Sequence, residues 1–178
     1  MVEVTIDSVR ISLMTQHRVV VLREKGSQRY LPIWIGAPEA DAITLRLQGV
    51  QVERPLTHDL LVRILRTLGA EVQYVIVNDL RADVFYAQIV LEFNEREIRI
   101  DSRPSDAIAL AVRAEVPLYV SEKVMNEASR LPDEDVSPSI LEGVEEEEPE
   151  VASEDLSAFA DFIEELDLDD LGTGPTPA

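Results

Sequence analysis

The chain has 178 residues, 46% hydrophobic and 29% charged, enough for one core of ordinary size and too few for two large domains. Its formal net charge is −19, yet all 16 Lys and Arg lie at or before Arg130 beside 18 acids, while the last 48 residues carry 17 acids and no base. The acidity therefore belongs to the tail, and repulsion of nucleic acid by a uniformly acidic surface is excluded for the front segment. Without cysteine there is no disulfide framework, thiolate nucleophile, Cys-built zinc site or iron–sulfur cluster. Neither a leader-like start nor an apolar run of about 18 residues is present, so the expectation is a soluble, cytoplasmic protein with no membrane partner.

Val2, Val4 and Ile6 alternate with polar residues, Val19-Val20-Val21-Leu22 is a short apolar run, and Leu31, Ile33 and Ile35 alternate again, which predicts three strands. After Gly36 the spacing turns helical, with Pro38 suited to a first turn. A second helix opens at Leu56-Thr57-His58-Asp59, with Thr57 as the expected N-cap, and Gly69 ends it. Strands are expected over 71–77, 83–93 and 96–100, with turns at Asn78-Asp79 and Asn94-Glu95. Pro104 starts a helix to about Arg113, 117–120 reads as a short strand and 121–130 as a last helix.

Shifting the chain by 65 positions aligns Ile33 with Ile98, Ile35 with Ile100, Asp41 with Asp106, Ala42 with Ala107, Ile43 with Ile108 and Leu45 with Leu110. The expected fold class is α+β: one compact domain over 1–130 with a mixed sheet, built from a duplicated strand-strand-strand-helix-helix unit covering about 1–68 and 69–130. Residues 131–152 read as an acidic linker. Within 153–171, Leu156, Phe159, Ile163 and Leu166 recur at helical spacing, predicting an amphipathic acidic helix that orders on docking to a protein partner. Residues 172–178 form a disordered end.

Polar residues gather at two helix entrances, Arg54 to Asp59 and Asp101 to Asp106. A helix start offers free N–H groups and a partial positive end, so Arg54, Arg103 and Ser105 are candidates for holding a phosphate. His58, one of two histidines, lies on a first helical turn, where a neutral imidazole can act as general base or metal ligand. His17 reads as structural. Asp59, Asp101 and Asp106 join His58 as catalytic candidates, and Asp101, Asp106 and Glu39 can share Mg²⁺ or Mn²⁺, since Mg²⁺ accepts one or two carboxylates plus waters and phosphate oxygens. The match of Asp41 to Asp106 favours a shared structural need, whereas Asp101, Ser102, Arg103 and Ser105 face Gly36, Ala37, Pro38 and Ala40 and so break the repeat. No Walker loop, nucleophile elbow, His-Glu-x-x-His or Cys-x-x-Cys occurs.

Five ordered segments, Leu31-Pro32-Ile33-Trp34-Ile35-Gly36 with Glu39-Ala40, Arg54-Pro55-Leu56-Thr57-His58-Asp59-Leu60, Val84-Phe85-Tyr86-Ala87, Asp101-Ser102-Arg103-Pro104-Ser105-Asp106-Ala107 and Val116-Pro117-Leu118-Tyr119-Val120, resemble the bifunctional nuclease (DNase/RNase) domain family of bacteria and plants. The resemblance spans about residues 1 to 130. It implies a compact, self-associating α+β domain that hydrolyses DNA and RNA, with the Arg-Pro-Leu-Thr-His-Asp and Asp-x-Arg-Pro-Ser-Asp-Ala positions matching the family pattern. Many relatives carry a repair-associated helical motif after this domain, where the present chain has its acidic tail.

Two functions follow as expectations. The first is a metal-assisted, sequence-nonspecific nuclease, in which carboxylates hold the cation, His58 or a metal-bound water attacks, and Arg54 and Arg103 neutralise phosphate. Against it stands a front segment with no net excess of cations, whereas nonspecific nucleic-acid affinity comes from clustered ones. The alternative is a non-catalytic module that binds a ligand or protein, with the acidic tail docking a partner.

Overall fold

In the computed structural model, which describes residues 1–11 and 17–131, β1 (Val2–Ile11), β2 (Arg18–Glu24) and β3 (Tyr30–Ile35) form an antiparallel meander. Helices α1 (Ala37–Leu47) and α2 (Thr57–Thr67) follow. A second meander, β4 (Glu71–Arg81), β5 (Val84–Phe93) and β6 (Arg96–Ser102), leads to α3 (Pro104–Ala114), β7 (Leu118–Val120) and α4 (Glu122–Ala128). One seven-stranded sheet results, in the order β3-β2-β1-β7-β4-β5-β6. It is mixed: β7 runs antiparallel to β1 and parallel to β4, joining the meanders. The acidic linker, amphipathic helix and disordered end expected beyond Leu131 lie outside the described residues.

Alternation in the strands becomes the core face of the sheet, with Val2, Val4, Leu31, Ile33, Val75 and Val77 all buried. The run Ala107 to Ala111 is buried residue by residue because α3 lies on β4 and β5 with α1 and α2 against it. Short α4 touches both β3 and β4, so the sheet curls to bring those strands under one helix. The two sheet edges differ. Tyr30 on β3 exchanges backbone hydrogen bonds of 2.8 and 2.7 Å with Arg130, whereas six of the seven residues of β6 are exposed.

The turn expected at Asn78-Asp79 is instead a bulge. β4 runs on to Arg81 with a register shift between Val77 and Asp79, and the chain reverses at Ala82-Asp83 with φ of 46° and 61°. Asn and Asp suit a bulge as well as a turn, because both relieve a local break in the ladder. The Asn94-Glu95 turn lies where the sequence puts it, with φ of 51° and 61°. Among the described residues no helix is long and apolar enough to cross a membrane.

Candidate functional site

Three helix starts carry the polar groups. α1 leaves β3 through Gly36 and brings Glu39 to its third position, and α3 leaves β6 through Arg103 and brings Asp106 to the equivalent position. Proline near each start fixes the entering backbone without losing a helical hydrogen bond. α2 has Leu56, not the expected Thr57, at its N-cap, and His58 lies on the first turn. Asp59 supplies the missing cap from within, its Oδ2 accepting the Leu56 N–H at 2.9 Å.

These starts bring four side chains into a row. His58 Nε2 lies 3.2 Å from Asp106 Oδ1, Arg103 donates through Nε to Asp106 Oδ2 at 2.8 Å, and Arg103 Nη2 donates to Glu39 Oε1 at 2.7 Å. Side-chain exposure rises from 11% at His58 through 31% at Asp106 to 67% at Arg103. Burial pushes the Asp106 carboxyl up, but hydrogen bonds from Arg103 and His58 outweigh it and hold its pKa below the ordinary value. Asp106 and Glu39 in turn raise Arg103. An ionised Asp106 only accepts, so the proton between it and the imidazole belongs to His58 Nε2, and neutral His58 carries its lone pair on Nδ1. Histidine held in one tautomer by a carboxylate is the arrangement of an oriented general base.

Two supports escaped the sequence reading. A Cβ at Gly36 would collide with Glu39 Oε2, so the bare glycine is what lets Glu39 fold back over its own helix start. Gly36 has extended backbone that any residue adopts, so the requirement is for space. Arg113, 8% exposed on the last turn of α3, donates to Asp59 Oδ1 at 2.8 Å, to Ala109 O at 2.9 Å and to Ala42 O at 3.0 Å. It thereby ties together the three helices whose starts form the row. The available signal was one arginine inside the apolar run Ala107 to Ala114.

The other candidates divide. Both oxygens of Asp59 serve the α2 start and the Arg113 clamp, which is architecture. Ser105 is buried on the first turn of α3. Arg54 is exposed and, with Arg63 and Arg66 of α2, has no ion pair or side-chain hydrogen bond among the described residues, leaving three cations close to His58 in sequence. Asp101 is exposed opposite Gln88, and its charge acts on Arg81 rather than on the row. Among the described residues no three His, Asp or Glu side chains gather as metal ligands, so Asp101, Asp106 and Glu39 do not form a three-carboxylate set. Glu39 and Asp106 share one guanidinium, so a cation held by these two carboxylates would take the place of Arg103 between them. His17 stands edge-on to Trp34 at 5.8 Å, in keeping with packing.

Cavities of about 290 and 230 Å³ open elsewhere, one between α2 and the start of β4 and one beside β1 and the end of α3. Neither is lined by any member of the row. Arg103 is the exposed member of the row, whereas His58 and Glu39 keep only 11% and 15% of their side chains exposed.

Residues 20–132 match the sequence profile of the bifunctional nuclease domain family. The chain is 39% identical over 169 residues to an uncharacterized protein of Mycobacterium tuberculosis (strain ATCC 25618 / H37Rv), covering 94% of this chain and 96% of that protein. It is 31% identical over 110 residues to Bifunctional nuclease 1 of Arabidopsis thaliana and 29% identical over 111 residues to Bifunctional nuclease 1 of Oryza sativa subsp. indica. These matches cover 60% and 61% of this chain and 34% of each plant protein, so the chain spans about a third of the plant relatives' length.

Proposed function

We propose, since this chain belongs to the bifunctional nuclease domain family, that it hydrolyses phosphodiester bonds of DNA and RNA without sequence preference at the row of His58, Asp106, Arg103 and Glu39. The observation that carries this reading is the His58–Asp106 hydrogen bond, which leaves the lone pair of a neutral imidazole on Nδ1, while the exposed Arg103 holds the same carboxylate. Hydrolysis adds water across one P–O bond and leaves a phosphate monoester and a hydroxyl. His58 Nδ1 accepts the proton of the attacking water, Asp106 fixes the ring, and Arg103 exchanges a carboxylate for a phosphate oxygen as substrate arrives. Arg54, Arg63 and Arg66, free of ion pairs among the described residues, neutralise neighbouring phosphates along the strand. Glu39 and Asp106 would hold a divalent Mg²⁺ or Mn²⁺, which supplies charge neutralisation at the reacting phosphate. That the plant relatives are bifunctional nucleases supports nucleic acid as the substrate class.

A second reading rests on Arg103, whose donors meet two carboxylates at once. In that reading the row is a clasp between helix starts in a module that binds an anionic ligand or a protein without cleaving anything. Labelled single- and double-stranded DNA and RNA, incubated with purified protein in Mg²⁺, Mn²⁺ or EDTA, separate the two. The nuclease reading expects metal-dependent cleavage that falls about 10²–10⁴-fold in His58→Ala. Cleavage that is absent, or equal in wild type and variant, leaves the binding module.

A further inference from the structure

The open edge of the sheet carries a pattern complementary to itself. In β6 every residue from Arg96 to Asp101 is exposed, and Ile98 and Ile100 keep 39% and 42% exposure although they pair with buried Leu91 and Ile89 on the core face. A sheet edge with exposed apolar residues is a template for another strand, and the opposite edge of this sheet already has Arg130 paired to Tyr30. The β5–β6 hairpin closes at Phe93 and Arg96 around two residues of positive φ, a type I′ turn whose closing pair is hydrogen-bonded. Because hydrogen-bonded and non-hydrogen-bonded pairs alternate, the backbone groups of Glu97, Arg99 and Asp101 point away from β5.

We infer that β6 pairs antiparallel with β6 of a second copy about a twofold axis at Ile100. In that register Ile100 faces Ile100, Arg99 faces Asp101, and Glu97 faces Arg103, so Glu97, Arg99 and Asp101 are each opposite the other sign, twice over by symmetry. Shifting the axis to Arg99 instead sets Arg99 against Arg99 and Glu97 against Asp101. The two isoleucines of each copy continue the core faces across the junction, and the outward N–H and C=O groups find partners. Arg103 is the arginine that joins Asp106 to Glu39. Glu97 of the second copy therefore reaches the rim of the site, so each site has a carboxylate from both chains. The pairing rests on the strand and its charges and stands whether or not the row cleaves nucleic acid.

The chain has no cysteine, which makes the test direct. A non-hydrogen-bonded antiparallel pair holds its Cα atoms about 4.5 Å apart, within the reach of a disulfide. Under mild oxidation of the full chain, Ile100→Cys should give a covalent dimer, while Ile98→Cys, opposite Ser102, should give none. Sedimentation should give a dimer mass for wild type and a monomer for Arg99→Pro, whose lost N–H faces outward and leaves the β5 ladder intact. Arg99→Asp should weaken the dimer about tenfold, with Asp101→Arg in the same chain restoring it. A monomeric wild type, cross-linking at 98 equal to that at 100, or a dimer that survives Arg99→Pro would each overturn the pairing.

Discussion

The two ends of α3 each carry an arginine that joins neighbouring helices, with opposite physical consequences. Arg103 at the start meets Asp106 and Glu39 with 67% of its side chain exposed. Arg113 in the last turn meets Asp59 and two backbone carbonyls with 4% exposed. Water or a phosphate oxygen can replace a carboxylate at the first with little loss, because an exposed pair contributes only about 0–1 kcal/mol. At the second, each of the three guanidinium nitrogens has a partner inside the protein, and burial keeps competitors out. One residue type thus provides an exchangeable contact at one end of a helix and a fixed joint at the other, and solvent access decides which.

Breaking the fixed joint should have the larger effect on stability. Arg113→Ala strands Asp59 and the carbonyls of Ala42 and Ala109, and should lower stability by about 3–5 kcal/mol in urea titration. Arg103→Ala should cost about 0–1 kcal/mol, while its affinity for an oligonucleotide falls and the salt dependence of binding becomes shallower. Equal destabilisation by the two substitutions would remove the distinction between the two ends.

A smaller change sharpens the exchangeable end. In Gly36→Ala the new Cβ collides with Glu39 Oε2, the far end of a flexible side chain, so Glu39 swings away at little cost to the fold. The expected outcome is a nearly unchanged melting temperature with the Glu39–Arg103 link lost and a higher Mg²⁺ or Mn²⁺ concentration needed for half-maximal cleavage. Unchanged metal dependence would take Glu39 out of the site.

Much of the fold was legible because periodicity is a local property. Alternation at Leu31 and Ile33 and the apolar run after Pro104 located β3 and α3 directly. His58, Arg103, Asp106 and Glu39 were each visible as polar residues near helix starts. Their meeting was not, because it depends on how α1 and α2 dock on α3. The shift of 65 matched Asp41 to Asp106, but Gly36 and Arg103 cap their helices two residues further apart, so Glu39 is the residue that shares the helical position of Asp106. Arg113 was hidden for the same reason, since burial of a charge is a tertiary fact. Asn78-Asp79 read as a turn because side-chain preference does not tell a reversal from a bulge.

The smallest expected effect concerns a third cluster, where Asp79 accepts from Lys123 of α4 at 2.7 Å and from Arg81 at 2.5 Å. Hydrogen bonds from Lys123, then Arg81, lower its pKa from 3.8 to about 2. A carboxyl lowered on folding stabilises the native state above its unfolded pKa, and that contribution is lost as pH falls through the folded one. Between pH of about 4 and 2 the wild type should therefore lose stability more steeply than Asp79→Asn, which has no carboxylate to protonate. Added salt should shrink the difference, because the partners Lys123 and Arg81 are mostly exposed and their charges are screened. Asp106 is lowered in the same direction but is partly buried, so its own contribution should resist salt better. Equal acid slopes in wild type and Asp79→Asn would mean that exposure has already cancelled the pair, and the contrast between exposed and buried charge would then extend to α4.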